Sequence, residues 1–280
     1  MTISDFNKKL QQLGSISVDL PFLEAEALLL KAQAVENNDE ALAKQLWIAV
    51  QIIKTHRDFL EVFRLLRSKK YQDAWFLLER IDIEIIFLKR HFDLSSNAFK
   101  IKWISRTVTL LQALFPYRLF ISTEMLTLQE SCGICKQQVS IRKPCGHRIG
   151  EIYGGEMCTR EITKMDFIGT VLVETPGNKY SVLFNESDDP KARDEQYATL
   201  VLLLSVIKNP YEHWGLRIEQ RQIPHSHYPN LKADQLCPCG EGKSYKECCL
   251  MESGINYFHY EILLGDKQLK RYQKKSKRKK

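Results

Sequence analysis

Cys237-Pro238-Cys239-Gly240-Glu241-Gly242-Lys243-Ser244-Tyr245-Lys246-Glu247-Cys248-Cys249 packs four thiols into thirteen residues. A Cys-x-Cys pair on one turn and an adjacent Cys-Cys pair, separated by eight mostly polar residues, can present four thiolates to one tetrahedral metal ion with little further scaffold. The spacing therefore predicts a small zinc knob over residues 233–252, ligated by Cys237, Cys239, Cys248 and Cys249. A disulfide framework fits poorly, because vicinal Cys248 and Cys249 could bridge only with strain. The opening Met1-Thr2-Ile3-Ser4-Asp5-Phe6 also has no apolar signal core. Cytoplasmic placement is the resulting expectation.

A second cluster lies upstream. Cys132-Gly133-Ile134-Cys135 is followed by Cys145-Gly146-His147 and then Cys158, a Cys-x-x-Cys with later partners at zinc-ribbon spacing. Gly133 relieves crowding in the first knuckle, where backbone amides can turn toward the sulfurs. Cys132, Cys135 and Cys158 are expected ligands, and either Cys145 or His147 completes the set. Two sites of four thiolates would use all eight cysteines, which favours Cys145 and leaves His147 as an outer hydrogen-bond donor or a basic surface group. A thioredoxin-type dithiol would need a βαβ context that is missing and would leave Cys145 and Cys158 unexplained. Catalytic zinc keeps an open position, whereas each cluster here can close its shell with sulfur, so two structural zinc ions are the expected cofactors.

The distal segment resembles the SEC-C motif, found at the C-terminus of the bacterial protein-translocation motor ATPase and in many otherwise unrelated proteins. Cys237, Pro238, Cys239, Gly240, Gly242, Lys243, Tyr245, Lys246, Cys248 and Cys249 supply its usual elements, while Glu241 stands where a small residue is usual. The resemblance implies a zinc-binding docking knob rather than a catalytic centre. The stretch from Cys132 through Gly150, Glu151, Tyr153, Gly155 and Cys158 is similar to a zinc-ribbon segment of uncharacterised bacterial SEC-C and phage-related proteins.

Charge is unevenly placed. The net charge is +7, yet Lys267, Lys270, Arg271, Lys274, Lys275, Lys277, Arg278, Lys279 and Lys280 supply nine positive charges with no acid among them, which leaves 32 basic against 34 acidic residues over 1–266. The end of the chain is the polycation, expected to be disordered. Such a tail binds phosphate backbones by counterion release, without sequence preference and with steep salt dependence, or simply solubilises the chain. RNA or the ribosome is the expected nucleic-acid partner, a protein partner is also expected, and neither a membrane nor a small-molecule substrate is indicated. No stretch approaches about twenty uninterrupted apolar residues.

Residues 1–115 read as an α-helical domain. Leu42, Leu46, Ala49, Ile53, Leu60 and Phe63 recur at helical spacing between Asp39 and Arg67. After the break at Ser68-Lys69-Lys70, Ala74, Leu78, Ile81, Ile85 and Leu88 continue it, giving an antiparallel hairpin. Asp19 before Pro21 predicts an earlier helix start, Asn37-Asn38-Asp39 a turn and cap, and Ile101, Ile104, Val108 and Leu111 a further helix over Ser96–Leu114. Trp47, Trp75 and Trp103 fall within these patterns as core or groove aromatics.

Residues 116–185 read as a zinc-ribbon-like β domain. Tyr117–Leu128 leads extended into the knuckle, and Phe167–Glu174 with Lys179–Phe184 forms a hairpin around Thr175-Pro176-Gly177-Asn178. A helix over Asp194–Ile207, a strand over Arg217–His227 and a linker fill 186–232; a helix or linker and the tail fill 253–280. His225 and His227 could make a third metal site but read as loop histidines. The fold class is thus α+β: helical bundle, ribbon, SEC-C knob and tail.

The function these features predict is that of a non-enzymatic zinc protein docking onto a protein, RNA or ribosome. The alternative is a nucleic-acid-acting toxin or phage-defence effector. It lacks a Gly-rich phosphate loop, His-Glu-x-x-His and a zinc-deaminase signature, and its only Arg-then-His spacings, Arg142 to His147 and Arg221 to His227, fall in ribbon or loop. Metal removal is expected to unfold both cysteine modules and leave the helices largely intact.

Overall fold

The computed structural model describes residues 3–14, 18–95, 98–184 and 189–276. Its elements are α1 (Ile3–Gln11), α2 (Leu20–Glu36), α3 (Glu40–Arg67), α4 (Tyr71–Leu88), α5 (Ile101–Gln112), β1 (Phe120–Cys132), β2 (Gln138–Val139), β3 (Ile152–Tyr153), β4 (Glu156–Met157), β5 (Arg160–Val173), α6 (Pro190–Gln196), α7 (Ala198–Val206), β6 (Trp214–Ile223), β7 (Ile255–Leu264) and α8 (Asp266–Ser276). Packing divides the chain into two units, Met1–Leu204 and Ser205–Lys280. The mixture of helices with small sheets is of α+β character. Among the described residues no helix is long and apolar enough to cross a membrane.

The first unit begins with the helices that periodicity predicts. Asp19 accepts from the Phe22 amide at 3.0 Å and Asp39 from that of Leu42 at 3.0 Å, so both N-termini carry carboxylate caps, worth about 1 kcal/mol each. The turns between helices place Asn38 and Lys69 at positive φ, which reverses the chain sharply and lays α2, α3 and α4 against one another. Leu46, Ala49, Ile53 and Phe63 of α3 are buried, as are Ala74, Leu78, Ile81, Ile85 and Leu88 of α4 and Ile101, Ile104, Val108 and Leu111 of α5. Helix α3 also buries Trp47, Ile52, Phe59 and Val62, so it is a central helix with neighbours on several sides rather than one buried face. Residues 96 and 97, where the fourth helix was expected to begin, lie outside the described residues.

His56 sits within this core, and its Nε2–H donates to the Phe99 carbonyl at 2.7 Å. Burial lowers its pKa from 6.5 to about 4; the carbonyl opposes the shift and the Lys100 charge adds to it. The unfolded chain therefore takes up a proton near 6.5 that the folded chain refuses until about 4. Stability is full above about pH 7 and is lost as pH falls, by about 2 kcal/mol at pH 5 from this group alone. Urea unfolding of the parent and of His56→Gln at pH 7 and pH 5 checks this: the variant is expected to lose that increment less. An equal pH-dependent loss in both chains would rule it out.

The ribbon departs from the expected pairing. Strand β5 pairs antiparallel with β1, from Phe120 opposite Val173 to Cys132 opposite Arg160, in a sheet of order β2-β1-β5. The segment Lys179–Phe184 makes no hairpin with Phe167–Glu174. Lys179–Ser181 is instead a short 3-10 turn tied to the helices. Its Lys179 amide donates to Glu79 at 2.8 Å, its carbonyl accepts from Trp75 Nε1 at 2.8 Å, and its ammonium reaches Gln112 Oε1 at 2.7 Å and Asp82 at 3.2 Å. Buried Glu79 has to be satisfied, and the Lys179 amide does so at one oxygen while Gln112 Nε2 donates to the other at 3.5 Å. The predicted helix over Asp194–Ile207 appears as α6 and α7, with Tyr197 between them buried, stacked on Tyr71 and hydrogen-bonded to Tyr117. Of the expected turn over Asn185–Asp189, residues 185–188 lie outside the described residues.

In the second unit β6 and β7 pair antiparallel through ten successive partners, from Trp214 opposite Leu264 to Ile223 opposite Ile255. The expected strand over Arg217–His227 ends at Ile223, and His225–His227 is a 3-10 turn. Strand β7 was not anticipated from the sequence. The expectation of a disordered tail also fails for residues 266–276, which form α8. Gln268 donates to the His213 carbonyl at 3.1 Å, and Arg271 reaches the Val206 carbonyl at 3.0 Å and the Glu212 carboxylate at 2.6 and 2.8 Å. Arg271 is thus held by an acid rather than presented to phosphate. Lys267 and Lys270 are exposed on the same helix, Lys274 and Lys275 fall in its last turns, and Lys277, Arg278, Lys279 and Lys280 lie outside the described residues.

Candidate metal centres

Two groups of side chains can each hold a metal ion: Cys132, Cys135, Cys145 and His147, and Cys237, Cys239, Cys248 and Cys249. Within each group the donor atoms all lie within 4.8 Å of one another.

The proximal group is built at the far end of the β1–β5 ribbon. Cys132 ends β1 and is fully buried; its amide donates to the Gln137 carbonyl at 2.9 Å, and its own carbonyl accepts from Lys136 at 2.8 Å, which closes the knuckle. Gly133 packs so closely on Thr159 that a Cβ would fall 2.5 Å from Thr159 Oγ1, and its amide donates to the Thr159 carbonyl at 2.9 Å. That contact brings Cys158 to the knuckle, with its sulfur 3.8 Å from that of Cys132. The donors that lie within 4.8 Å of one another are those of Cys132, Cys135, Cys145 and His147; Cys158, expected as a ligand, approaches the Cys132 sulfur but is not in that group, and Cys145 and His147, expected as alternatives, are both in it. Cys145 and His147 both reach the cluster, because Gly146 at φ +86° folds the chain back between them. Buried His147 Nδ1 has no hydrogen-bond partner among the described residues, which is costly for a ring nitrogen unless something else binds it.

The distal group forms at the tip of the β6–β7 hairpin. Cys237 donates its amide to the Lys243 carbonyl at 2.9 Å, and Gly240, at φ +85°, turns the chain between the pairs. Cys239 and Cys248 sulfurs are 3.3 Å apart, and those of Cys248 and Cys249 are 3.7 Å apart. Tyr245 is buried with Cys237, Cys249 and Ile255. His225 bonds the Tyr245 hydroxyl through Nδ1 and the Glu252 carbonyl through Nε2 at 3.0 Å. With both nitrogens engaged it braces the knob rather than serving as a ligand, and His227 belongs to the same turn. Glu241, the departure from the motif, lies 3.8 Å from the Cys248 sulfur and 3.4 Å from the Lys243 ammonium.

Electrostatics within each cluster call for a cation. The Cys135 amide aimed at the Cys132 sulfur, with help from Ile134 and against burial, lowers that thiol to about 6. Burial and the neighbouring Cys132 sulfur push Cys158 up. Burial opposes ionisation of Cys237, but the amides of Cys239 and Cys249 bring it down to about 7, while the Cys239 thiol first and burial second drive Cys248 upward. One thiolate in each cluster forms readily and the next resists, since like charges at these distances repel. A divalent cation removes that conflict, and the donor sets suit a thiolate-loving one.

Arg160 is the site residue that spacing alone missed. It sits opposite Cys132 in the ladder, donates to the Cys158 sulfur at 3.5 Å and to the His147 carbonyl at 3.2 Å, and lies 3.7 Å from Glu130. A cation two residues beyond the last cysteine was the available signal. Replacing Arg160 with Ala is expected to weaken metal binding at this site about tenfold or more, with Arg160→Lys intermediate. Competition against a chromophoric chelator reads this, and unchanged affinity in the Ala variant would remove Arg160 from the site.

No protein-family model, no curated protein and no solved structure matches the chain. The chemistry of the two clusters therefore carries the functional reading.

Proposed function

We propose that this chain is a zinc-binding, non-enzymatic interaction protein of SEC-C type. Its two cysteine modules and basic end dock onto a protein or an RNA or ribosomal partner in the cytoplasm. The observation that carries the reading is the pair of compact donor groups, each with four donors within 4.8 Å of one another. Donor sets rich in sulfur favour zinc over harder cations, and a shell that closes on protein ligands leaves no position for substrate. The zinc would supply folding energy rather than chemistry. At the proximal site Cys132, Cys135 and Cys145 hold it, and His147 or Cys158 provides the fourth bond. The distal site uses its four cysteines.

Exposed Lys267 and Lys270, with the cations that follow α8, form the basic end assigned to phosphate contact. The test is salt-dependent binding of RNA and of ribosomes by the zinc-loaded full chain. It is compared with a chain in which Lys274, Lys275, Lys277, Arg278, Lys279 and Lys280 are replaced by Gln. Truncation at Asp266 would remove α8 and its Arg271–Glu212 pair, so substitution is the cleaner change. Binding that weakens with salt and loses most of its slope in the Gln chain supports the reading, at about 0.7–0.9 in slope per lost phosphate contact. If neither form binds at physiological salt, the nucleic-acid partner is excluded and a protein partner remains.

A further inference from the structure

Strand β5 is an edge strand in the β2-β1-β5 order and is exposed over nearly all of its length. Met165, Phe167, Ile168, Val171 and Leu172 along it are each more than half exposed. A long apolar edge of this kind offers free N–H and C=O groups to another strand, and monomeric proteins usually blunt it. The ladder with β1 shifts register three times, at Ile168, between Met165 and Lys164 where β1 carries Leu128 as an extra residue, and at Thr163, which leaves Met165–Phe167 as the regular stretch with Lys164 next to it. Lys164 and Asp166 are both exposed, and neither finds an ion-pair partner among the described residues.

We propose that β5 pairs antiparallel with β5 of a second copy of this chain, about a two-fold axis through Met165. Residues directly opposite in an antiparallel pair point to the same side of the sheet. A two-fold axis perpendicular to the sheet preserves sides, so it permits only registers in which some residue faces its own copy. Centring the pair on Lys164 or on Asp166 would set like charges opposite each other. Centring it on Met165 sets Lys164 opposite Asp166 of the second copy and Asp166 opposite its Lys164. One side of the new sheet then carries two ion pairs, and the other carries Met165 against its copy with Phe167 beside it. A lone edge lysine deters pairing; an acid two residues away turns the deterrent into a choice of one register. This inference rests on the ribbon alone and stands or falls apart from the docking function.

Sedimentation of the zinc-loaded full chain across the micromolar range tests it. The expected result is a reversible rise in mass toward twice 32.7 kDa. D166K and K164D, each placing like charges opposite twice, are expected to raise the dimer dissociation constant about tenfold or more. Both change exposed side chains, and circular dichroism is the check that they fold. Mixed together, D166K and K164D make every opposite pair complementary again, so the mixture is expected to associate where each alone does not. A parent chain that stays monomeric, a dimer indifferent to both swaps, or a mixture that fails to associate would each overturn the proposal.

Discussion

A chain carrying Cys237→Ser is expected to purify with one bound zinc where the parent carries two, and to lose amide protection across residues 231–255. The knob has very little else to hold it. Its core is Cys237, Tyr245, Cys249 and Ile255, with Leu231 and the two remaining cysteines packed alongside, and two of the four core side chains are themselves candidate ligands. Burying Tyr245 and Ile255 contributes at most about 1.5–3 kcal/mol each, while ordering the backbone costs about 1–2 kcal/mol per residue. The hydrogen bonds of His225 to Tyr245 and Glu252 add about 1 kcal/mol apiece and cannot close that gap. Zinc at a structural site contributes about 10–16 kcal/mol, more than all of these contacts together. The β6–β7 ladder beyond the knob, with its ten paired positions, is expected to keep its protection near Trp214 and Leu264, where α8 also packs. Metal analysis together with hydrogen exchange reads both effects. Full protection of residues 236–250 in a variant holding a single zinc would show that the metal does not build the knob.

The parts of this structure that were legible in the sequence are those whose signal is local. Carboxylate caps at Asp19 and Asp39, the buried faces of α4 and α5, and both cysteine clusters are written in spacings of a few residues, and the backbone obeys them. What stayed hidden depends on distant partners. Thr175-Pro176-Gly177-Asn178 reads as a hairpin turn, but strand choice was settled by Glu79 and Trp75, which claim Lys179 from the helical side. Strand β7 was missed although Ile255-Asn256-Tyr257-Phe258-His259-Tyr260 is aromatic and β-branched and lies between Gly254 and Gly265; its partner β6 lies about forty residues upstream, so its pairing is not a local signal. For α8 the sequence left helix or linker open, because one long-range pair, Arg271 with Glu212, helps tie it down. Arg160 shows the same limit inside the site, since only the β1–β5 register reveals that it faces Cys132.

Long-range partners also change what removing the proximal metal should do. From spacing alone, the ribbon looks like a module whose loss would spare the helices. The structure ties its metal-binding end to them directly. The Gly154 amide donates to both carboxylate oxygens of Glu40 at 3.1 Å, and Lys31 donates to the Gly155 carbonyl at 3.0 Å and pairs with Glu156. His91 bonds the Gly150 carbonyl at 2.7 Å while its ring stands edge-on to Trp47. Gly150 itself, at φ +82°, lies so close to Arg90 that a Cβ would fall 2.0 Å from its guanidinium nitrogen. All of these ribbon groups sit in the loops and short β3–β4 hairpin between Cys145 and Cys158, whose shape a metal held by the cluster would fix. Cys132→Ser, or chelation of the parent, is therefore expected to free Lys31, Glu40 and His91 from their partners. The helices should stay folded on their own core, since Ile53, Leu78, Ile81 and Ile104 are fully buried and α3, α4 and α5 pack on one another. Exchange should nonetheless rise at the end of α2 and the start of α3. With about four hydrogen bonds lost at about 1 kcal/mol each, and about 2–4 °C per kcal/mol for a unit of this size, the melting temperature of the first unit is expected to fall by about 10 °C. Cys237→Ser provides the internal control, because the groups bonded to Lys31, Glu40 and His91 here all belong to the ribbon. A proximal variant whose α2 and α3 exchange as slowly as the parent's would show that the ribbon docks on the helices without supporting them.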